Sequence, residues 1–199
     1  MTTETRPRGR PRDETIDEEI RRAVFDLVEE VGLAGLTIDG IAERAGVSKA
    51  TIYRRWESKD QLCAHAIAGL ANSVKMPESN DIREVLLATL RRMDAFLTST
   101  TAGTVFPWLI GEVAAGSEMG HHYAEAVILP GRRAMAARIS AAIEDGQLRS
   151  DLDIDVAVDM IMGPAMVRRL LGLHRQEERG WDERVVDTLL SGWMGDARS

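Results

Sequence analysis

The stretch GVSKATIYRRWESKDQL, Gly46 to Leu62, gathers Lys49, Thr51, Tyr53, Arg54, Arg55 and Lys59 into one short segment with Glu57 among them. Ammonium, guanidinium and hydroxyl groups at this density can donate hydrogen bonds to phosphate oxygens and base edges. Wound at about 100° per residue with Ile52 set inward, the segment brings Trp56 to the same side, about 40° away. Ala50 and Arg54 then point directly outward, Thr51 and Tyr53 flank them, Arg55 lies toward one edge, and Lys49 sits one turn before Tyr53. A small residue at the centre of a basic, hydroxyl-bearing face lets a helix approach a nucleic-acid groove closely. A solvated cationic face is the plain alternative.

The elements that must hold this face are written in the flanking sequence. Ile16, Ile20, Ala23, Val24, Leu27, Val28 and Val31 keep the spacing of one buried stripe and predict a helix from about Asp13 to Val31, ended by Gly32. Thr37 is a good N-cap for a second helix with Ile38, Ile41, Ala42 and Ala45 on one side, and Gly46 supplies a tight turn. Ser48 is placed to cap a third helix ending near Trp56, and Ser58 a fourth carrying Leu62, Ala66 and Leu70. A capped helix pair around a glycine turn is the pattern of a helix-turn-helix, whose second helix enters the major groove.

On these residues, GLTIDGIAERAGVSKATIYRRWESKDQL, Gly35 to Leu62, resembles the N-terminal signature of the TetR family of transcriptional regulators. The resemblance implies a homodimeric repressor that binds a palindromic double-stranded DNA operator. It also implies a C-terminal domain with a dimer interface and a pocket for a small-molecule effector that releases the DNA. The family's DNA contacts fall on Thr37, Lys49, Ala50, Thr51, Tyr53, Arg54, Arg55 and Lys59. Thr37 and Lys59 would meet phosphate, and Arg54 would read guanine where it lies over one. The chain has Arg-Arg where many relatives carry aromatic or histidine residues after the tyrosine. The preceding RPRGRPR, Arg6 to Arg12, is too poor in apolar residues to fold, so residues 1–12 are expected as an arm with Arg8 and Arg10 in the adjacent minor groove. A solubilising tail is the alternative.

The 199 residues, 44% of them hydrophobic, can build a sizeable core, and the net charge of -7 confines any nucleic-acid surface to a local cluster. With one cysteine, no apolar run of membrane-spanning length and an arginine-rich start, the expected setting is the cytoplasm, with no membrane partner. The periodicity is helical throughout, which predicts an all-α chain: the arm, a head at 13–57, a connecting helix at 58–76 and a helical domain at 77–199. Helices are expected in that last domain at 81–100, 104–115, 118–129, 130–146, 153–172 (bent at Gly163 and Pro164) and 181–195. A Met and aromatic concentration at Met93, Phe96, Leu97, Trp108, Ile110, Met119, Tyr123, Met135, Met160 and Met166 marks the expected pocket for an apolar or amphipathic ligand. Arg92, Glu112, His121 and His122 are the polar candidates beside it. Val156, Val167, Leu170 and Leu171, with Val186, Leu189, Leu190 and Trp193, are expected at a dimer face.

No phosphate loop, nucleophile elbow or third ligand beside His121 and His122 is present, so no enzyme, cofactor or metal is expected. The remaining alternative is a helical adaptor that uses the basic patch to hold an acidic protein.

Overall fold

In the computed structural model, which describes residues 10–71, 79–173 and 180–194 with side chains from Thr15 onward, every regular element among the described residues is helical. The chain divides into two compact units between Ala66 and Ile67, inside the helix Lys59–Ala71 rather than after it near residue 76.

The first unit contains α1 (Arg10–Val31), a 3-10 turn (Leu33–Gly35), α2 (Ile38–Ala45), α3 (Lys49–Tyr53) and the start of α4 (Lys59–Ala71). Its first helix begins three residues before the expected Asp13, because Pro11 is tolerated in a first turn whose N–H groups have no helical partner. Arg10 is therefore helical and not part of an extended arm, and Arg8 lies outside the described residues. Ile20, Val24 and Val28 of α1 are buried, as are Ile41 and Ala42 of α2. Val31, expected on the same stripe, is exposed: Gly32, at φ 70°, turns the chain, and Leu33 and Leu36 are the buried residues that follow. Cys63 is buried among the α4 residues, and that burial pushes its thiol pKa up to about 12, so it is an inert core group.

The second unit continues α4 into α5 (Ile82–Ser99), α6 (Thr101–Ala115), α7 (Glu118–Tyr123), a π turn (Ala124–Ile128), α8 (Leu129–Glu144), α9 (Ile154–Leu170) and α10 (Trp181–Trp193). Helix α5 is central and packs on α6, α8, α9 and α10. The expected break ahead of Pro130 is instead a continuous winding, in which the wider π turn leads into a proline that cannot donate an α-type bond. Val186, Leu189, Leu190 and Trp193 do not form an outer face: they are buried in the chain's own core with Leu86, Leu90 and Ile161. The Arg149 N–H caps this docking by donating to the Trp193 carbonyl at 2.9 Å.

Two buried glycines let backbone meet backbone. A Cβ on Gly103 of α6 would stand 2.3 Å from the Leu97 carbonyl oxygen, and one on Gly120 of α7 would stand 2.3 Å from that of Glu112. Gly103 has a second role. Pro107 lies inside α6 and cannot donate to the carbonyl four residues back, which belongs to Gly103. The Arg169 guanidinium fills that vacancy, donating Nε at 3.1 Å and Nη2 at 2.8 Å to the Gly103 oxygen. Arg169→Met should therefore lower stability by about 1–3 kcal/mol, the cost of an unsatisfied buried acceptor. In the Pro107→Ala background, where the helical bond is restored, the same change should cost distinctly less. Thermal or denaturant unfolding of the four proteins in this cycle is the check.

Candidate nucleic-acid interface and internal cavity

Helix α3 has only 5 residues, too few to be stable alone, so its orientation is imposed by what surrounds it. Ser48 Oγ accepts from the Thr51 N–H at 3.1 Å and shares a hydrogen bond with the Thr51 hydroxyl at 2.9 Å. Ile52 is fully buried, and Trp56 is buried with Nε1 donating to His65 Nδ1 at 2.8 Å. The regular helix stops at Tyr53 rather than near Trp56. Its winding nevertheless carries on through backbone bonds from Arg54 N to Ala50 O (3.1 Å) and from Trp56 N to Ile52 O (3.0 Å). With Ile52 fixed inward, Lys49, Ala50, Tyr53 and Arg54 are exposed, Tyr53 by 56%.

The cations around this face are not equivalent. Arg55 is turned inward: its side chain is 13% exposed, Nε donates to Asp17 Oδ1 of α1 at 2.7 Å, and Nη1 donates to the Thr51 carbonyl at 3.2 Å. Lys59 is also turned in, donating Nζ to the Leu36 carbonyl at 3.2 Å. These side chains, expected to face DNA, are engaged in holding the head together, because acceptors distant in sequence reach them first. Arg44 pairs with Glu30 at 2.7 Å, which raises the arginine's pKa and lowers the glutamate's. Lys49 meets Asp39 at 2.6 Å with both side chains exposed, a contact that water and salt weaken readily. Among the described residues no hydrogen bond or ion pair engages the Arg54 side chain. Thr37 caps α2, its Oγ1 accepting from Gly40 N at 3.1 Å, beside the N-terminus of that helix.

The second unit holds a cavity of about 570 Å³. Helix α5 lines it with Thr89, Arg92, Met93, Phe96 and Leu97, α6 with Phe106 and Ile110, and α9 with Met162 and Met166. Tyr123, Val127 and Ile128 contribute from α7 and the π turn, and Gly131, Ala134, Met135 and Arg138 from α8. Of the expected set, Met93, Phe96, Leu97, Ile110, Tyr123, Met135 and Met166 line it, as does the polar candidate Arg92. Trp108 and Met160 do not: they are 42% and 45% exposed on the outer sides of α6 and α9. Met119 is buried but does not line the cavity, and the polar candidates Glu112, His121 and His122 do not line it either: His121 is exposed and the other two are half-buried. Arg138 was missed, although its spacing from Gly131, Ala134 and Met135 is that of one helix face. Among the described residues no group of acids, histidines and cysteines could hold a metal ion, and no helix is long and apolar enough to cross a membrane.

A helix-turn-helix head joined to a helical unit with an internal cavity defines a class of DNA-binding regulator. Residues 20–66 match the model of bacterial regulatory proteins of the tetR family, and residues 76–189 match that of the tetracyclin repressor-like C-terminal domain. The chain is 35% identical over 165 residues to the uncharacterized HTH-type transcriptional regulator YdeS of Bacillus subtilis, covering 82% of this chain and 83% of that one. It is 26% identical over 184 residues to a DNA-binding transcriptional repressor TetR of Mycobacteroides abscessus, 90% and 94% of the two chains. Among solved structures, the TetR family transcription regulator SCO0332 superposes with a TM-score of 0.73 at 30% identity, covering 89% of this chain and 97% of that one. The chain belongs to the TetR family of helix-turn-helix transcriptional regulators.

Arg54→Ala should weaken binding to the protein's own operator by about 1–3 kcal/mol and relax preference at one base position, with no change in melting temperature. Arg55→Ala should do the reverse in emphasis, lowering stability by about 1–3 kcal/mol through the lost Asp17 and Thr51 bonds. Trp56→Ala should destabilise the head by roughly 3–5 kcal/mol. Fluorescence anisotropy with operator DNA and thermal unfolding, run on the same preparations, separate the two kinds of effect.

Proposed function

We propose that the chain is a cytoplasmic repressor that binds a pseudo-palindromic operator as a homodimer and releases it when an apolar or amphipathic small molecule occupies the cavity. The observation that carries the DNA half of this reading is the exposed guanidinium of Arg54, which no partner engages among the described residues, above a fully buried Ile52. In this reading Lys49, Ala50, Thr51 and Tyr53 dock on the groove around Arg54, and Thr37 with the α2 N-terminus receives a phosphate. Lys49 exchanges Asp39 for phosphate, which the exposed pair permits. Arg8 and Arg10 lie near the minor groove beside it, now with Arg10 at the head of α1.

The dimer half rests on α9. Val156, Met160, Val167, Leu170 and Leu171 are all exposed, and at about 100° per residue they fall within roughly 100° of arc. A continuous apolar stripe left uncovered by its own chain is an association surface, and a two-fold pairing buries the same stripe twice. The release half rests on the cavity, whose walls come from α5, α6, α8 and α9. The repressor sign is supported by the Mycobacteroides abscessus relative.

Selection of bound duplexes from a random pool is the direct test. It should return a site with two-fold symmetry, its half-sites about 34–36 Å apart or a multiple of that. Affinity for that site should fall with salt at a log-log slope of about -0.9 per neutralised phosphate, and removal of residues 1–9 should make the slope shallower. An asymmetric selected site, or a protein that is monomeric at micromolar concentration while binding DNA, would falsify the dimeric reading. Binding to an acidic protein that DNA cannot compete away would favour the adaptor instead.

A further inference from the structure

Thr89, Arg92, Tyr123 and Arg138 are the polar side chains among the described residues that line the cavity. Thr89 Oγ1 donates to the Val85 carbonyl of its own helix at 2.8 Å, Arg138 donates to the Ser79 carbonyl, and Arg92 likewise has a partner. These three leave the nature of a ligand open. Tyr123 differs from them. It is 2% exposed, and among the described residues no hydrogen bond engages its hydroxyl. Burial raises the pKa of the phenol, so at neutral pH the group is an uncharged O–H donor. A buried hydroxyl left without an acceptor is destabilising, and the chain supplies none.

The backbone around Tyr123 is held on both sides. Before it, Ser117 Oγ caps α7 by accepting from Gly120 N at 3.0 Å, and Gly120 lies against the Glu112 main chain of α6. After it, the π turn begins at the next residue, and the Leu129 N–H reaches back five residues to the Ala124 carbonyl. Val127 and Ile128, adjacent in that turn, both line the cavity with Tyr123. Single π turns of this kind within helices recur at functional sites. The other walls are apolar, with Met93, Phe96, Phe106 and Met135 among them. An occupant therefore buries an apolar body and has one uncharged donor to satisfy. A carbonyl oxygen does so without adding a donor of its own, whereas a ligand hydroxyl brings a proton that also needs an acceptor.

We propose that the cavity takes a largely apolar carbonyl compound whose oxygen accepts a hydrogen bond from the Tyr123 hydroxyl. This rests on the reading of the cavity as the effector site, and it narrows that reading to one chemical class. A hydrocarbon of the same shape fills the same space but leaves the phenol unbonded, so the bond selects between the two.

The test uses two pairs of probes that differ only in a carbonyl against a methylene, benzophenone with diphenylmethane and fluorenone with fluorene, each brought to equilibrium with the full-length protein by dialysis at neutral pH. Each ketone should bind at least about five-fold more tightly than its hydrocarbon. Tyr123→Phe should bring each ketone to the affinity of its hydrocarbon and leave the hydrocarbons unchanged. Without any probe the same variant should melt at the same temperature or higher, because no bond within the chain is lost. Equal binding within both pairs, no binding of either ketone up to its solubility, or a Tyr123→Phe protein that keeps the ketone preference would overturn the proposal. So would a Tyr123→Phe protein that unfolds or melts clearly earlier, since the hydroxyl would then be bonded within the protein. Operator release is scored separately. Probes that bind alike within each pair and still release the operator overturn the carbonyl and leave the effector reading standing. Ketone binding that depends on Tyr123 and leaves the operator complex intact supports the ligand class and counts against release by ligand.

Discussion

The burial of Ile52 is the constraint on which the reading head depends. A helix of 5 residues has no stability of its own, and every outward side chain takes its direction from the one that points in. Ser48 sets where the helix starts, Ile52 sets its rotation, and the Trp56 bond to His65 ties its trailing turn to α4. Rotating the segment by one residue would bury Thr51 or Tyr53 and expose an isoleucine. The hydrophobic effect therefore acts here chiefly as an orienting force, choosing which polar groups face a partner.

Charge then sorts what rotation has exposed. The basic cluster is nearly neutralised from within: Asp17, Asp39 and Glu30 each hold one cation, and the Leu36 carbonyl holds Lys59. Arg54 is left without such a partner among the described residues. This sorting reconciles an acidic protein with a nucleic-acid surface, since the field presented outward comes from a few groups and not from the net charge of -7.

The head was largely legible because its information is local. N-caps, a glycine turn and three- or four-residue spacing act within one or two turns, and Thr37, Ser48, Gly46 and Ile52 all occupy the roles their positions imply. Arg55 was not legible, because its partner Asp17 is 38 residues away and nothing in the spacing reveals it. The second unit was legible in its helices and less so in their surroundings. Periodicity shows that α10 has an apolar stripe but not whether its own chain covers it, and Val186 and Trp193 proved to be covered. Likewise a methionine or tryptophan can be recognised as apolar without showing whether it meets a void. Met93 and Met135 do, Met119 meets packed atoms, and Trp108 and Met160 meet solvent.

The glycine contacts of α6 give the cavity unequal walls. At its first turn α6 is held against the α5 backbone through Gly103 and gripped by Arg169, and at its last turn the α7 backbone closes on it through Gly120. Main chain against main chain leaves no side-chain rotamers to yield, so Phe106 and Ile110 stand on a rigid strut. Across from them Met93, Met135, Met162 and Met166 offer unbranched, pliant side chains. The cavity's contour is consequently fixed on the α6 side, while its width can vary on the methionine side. The chamber is therefore stiff in contour and yielding in girth.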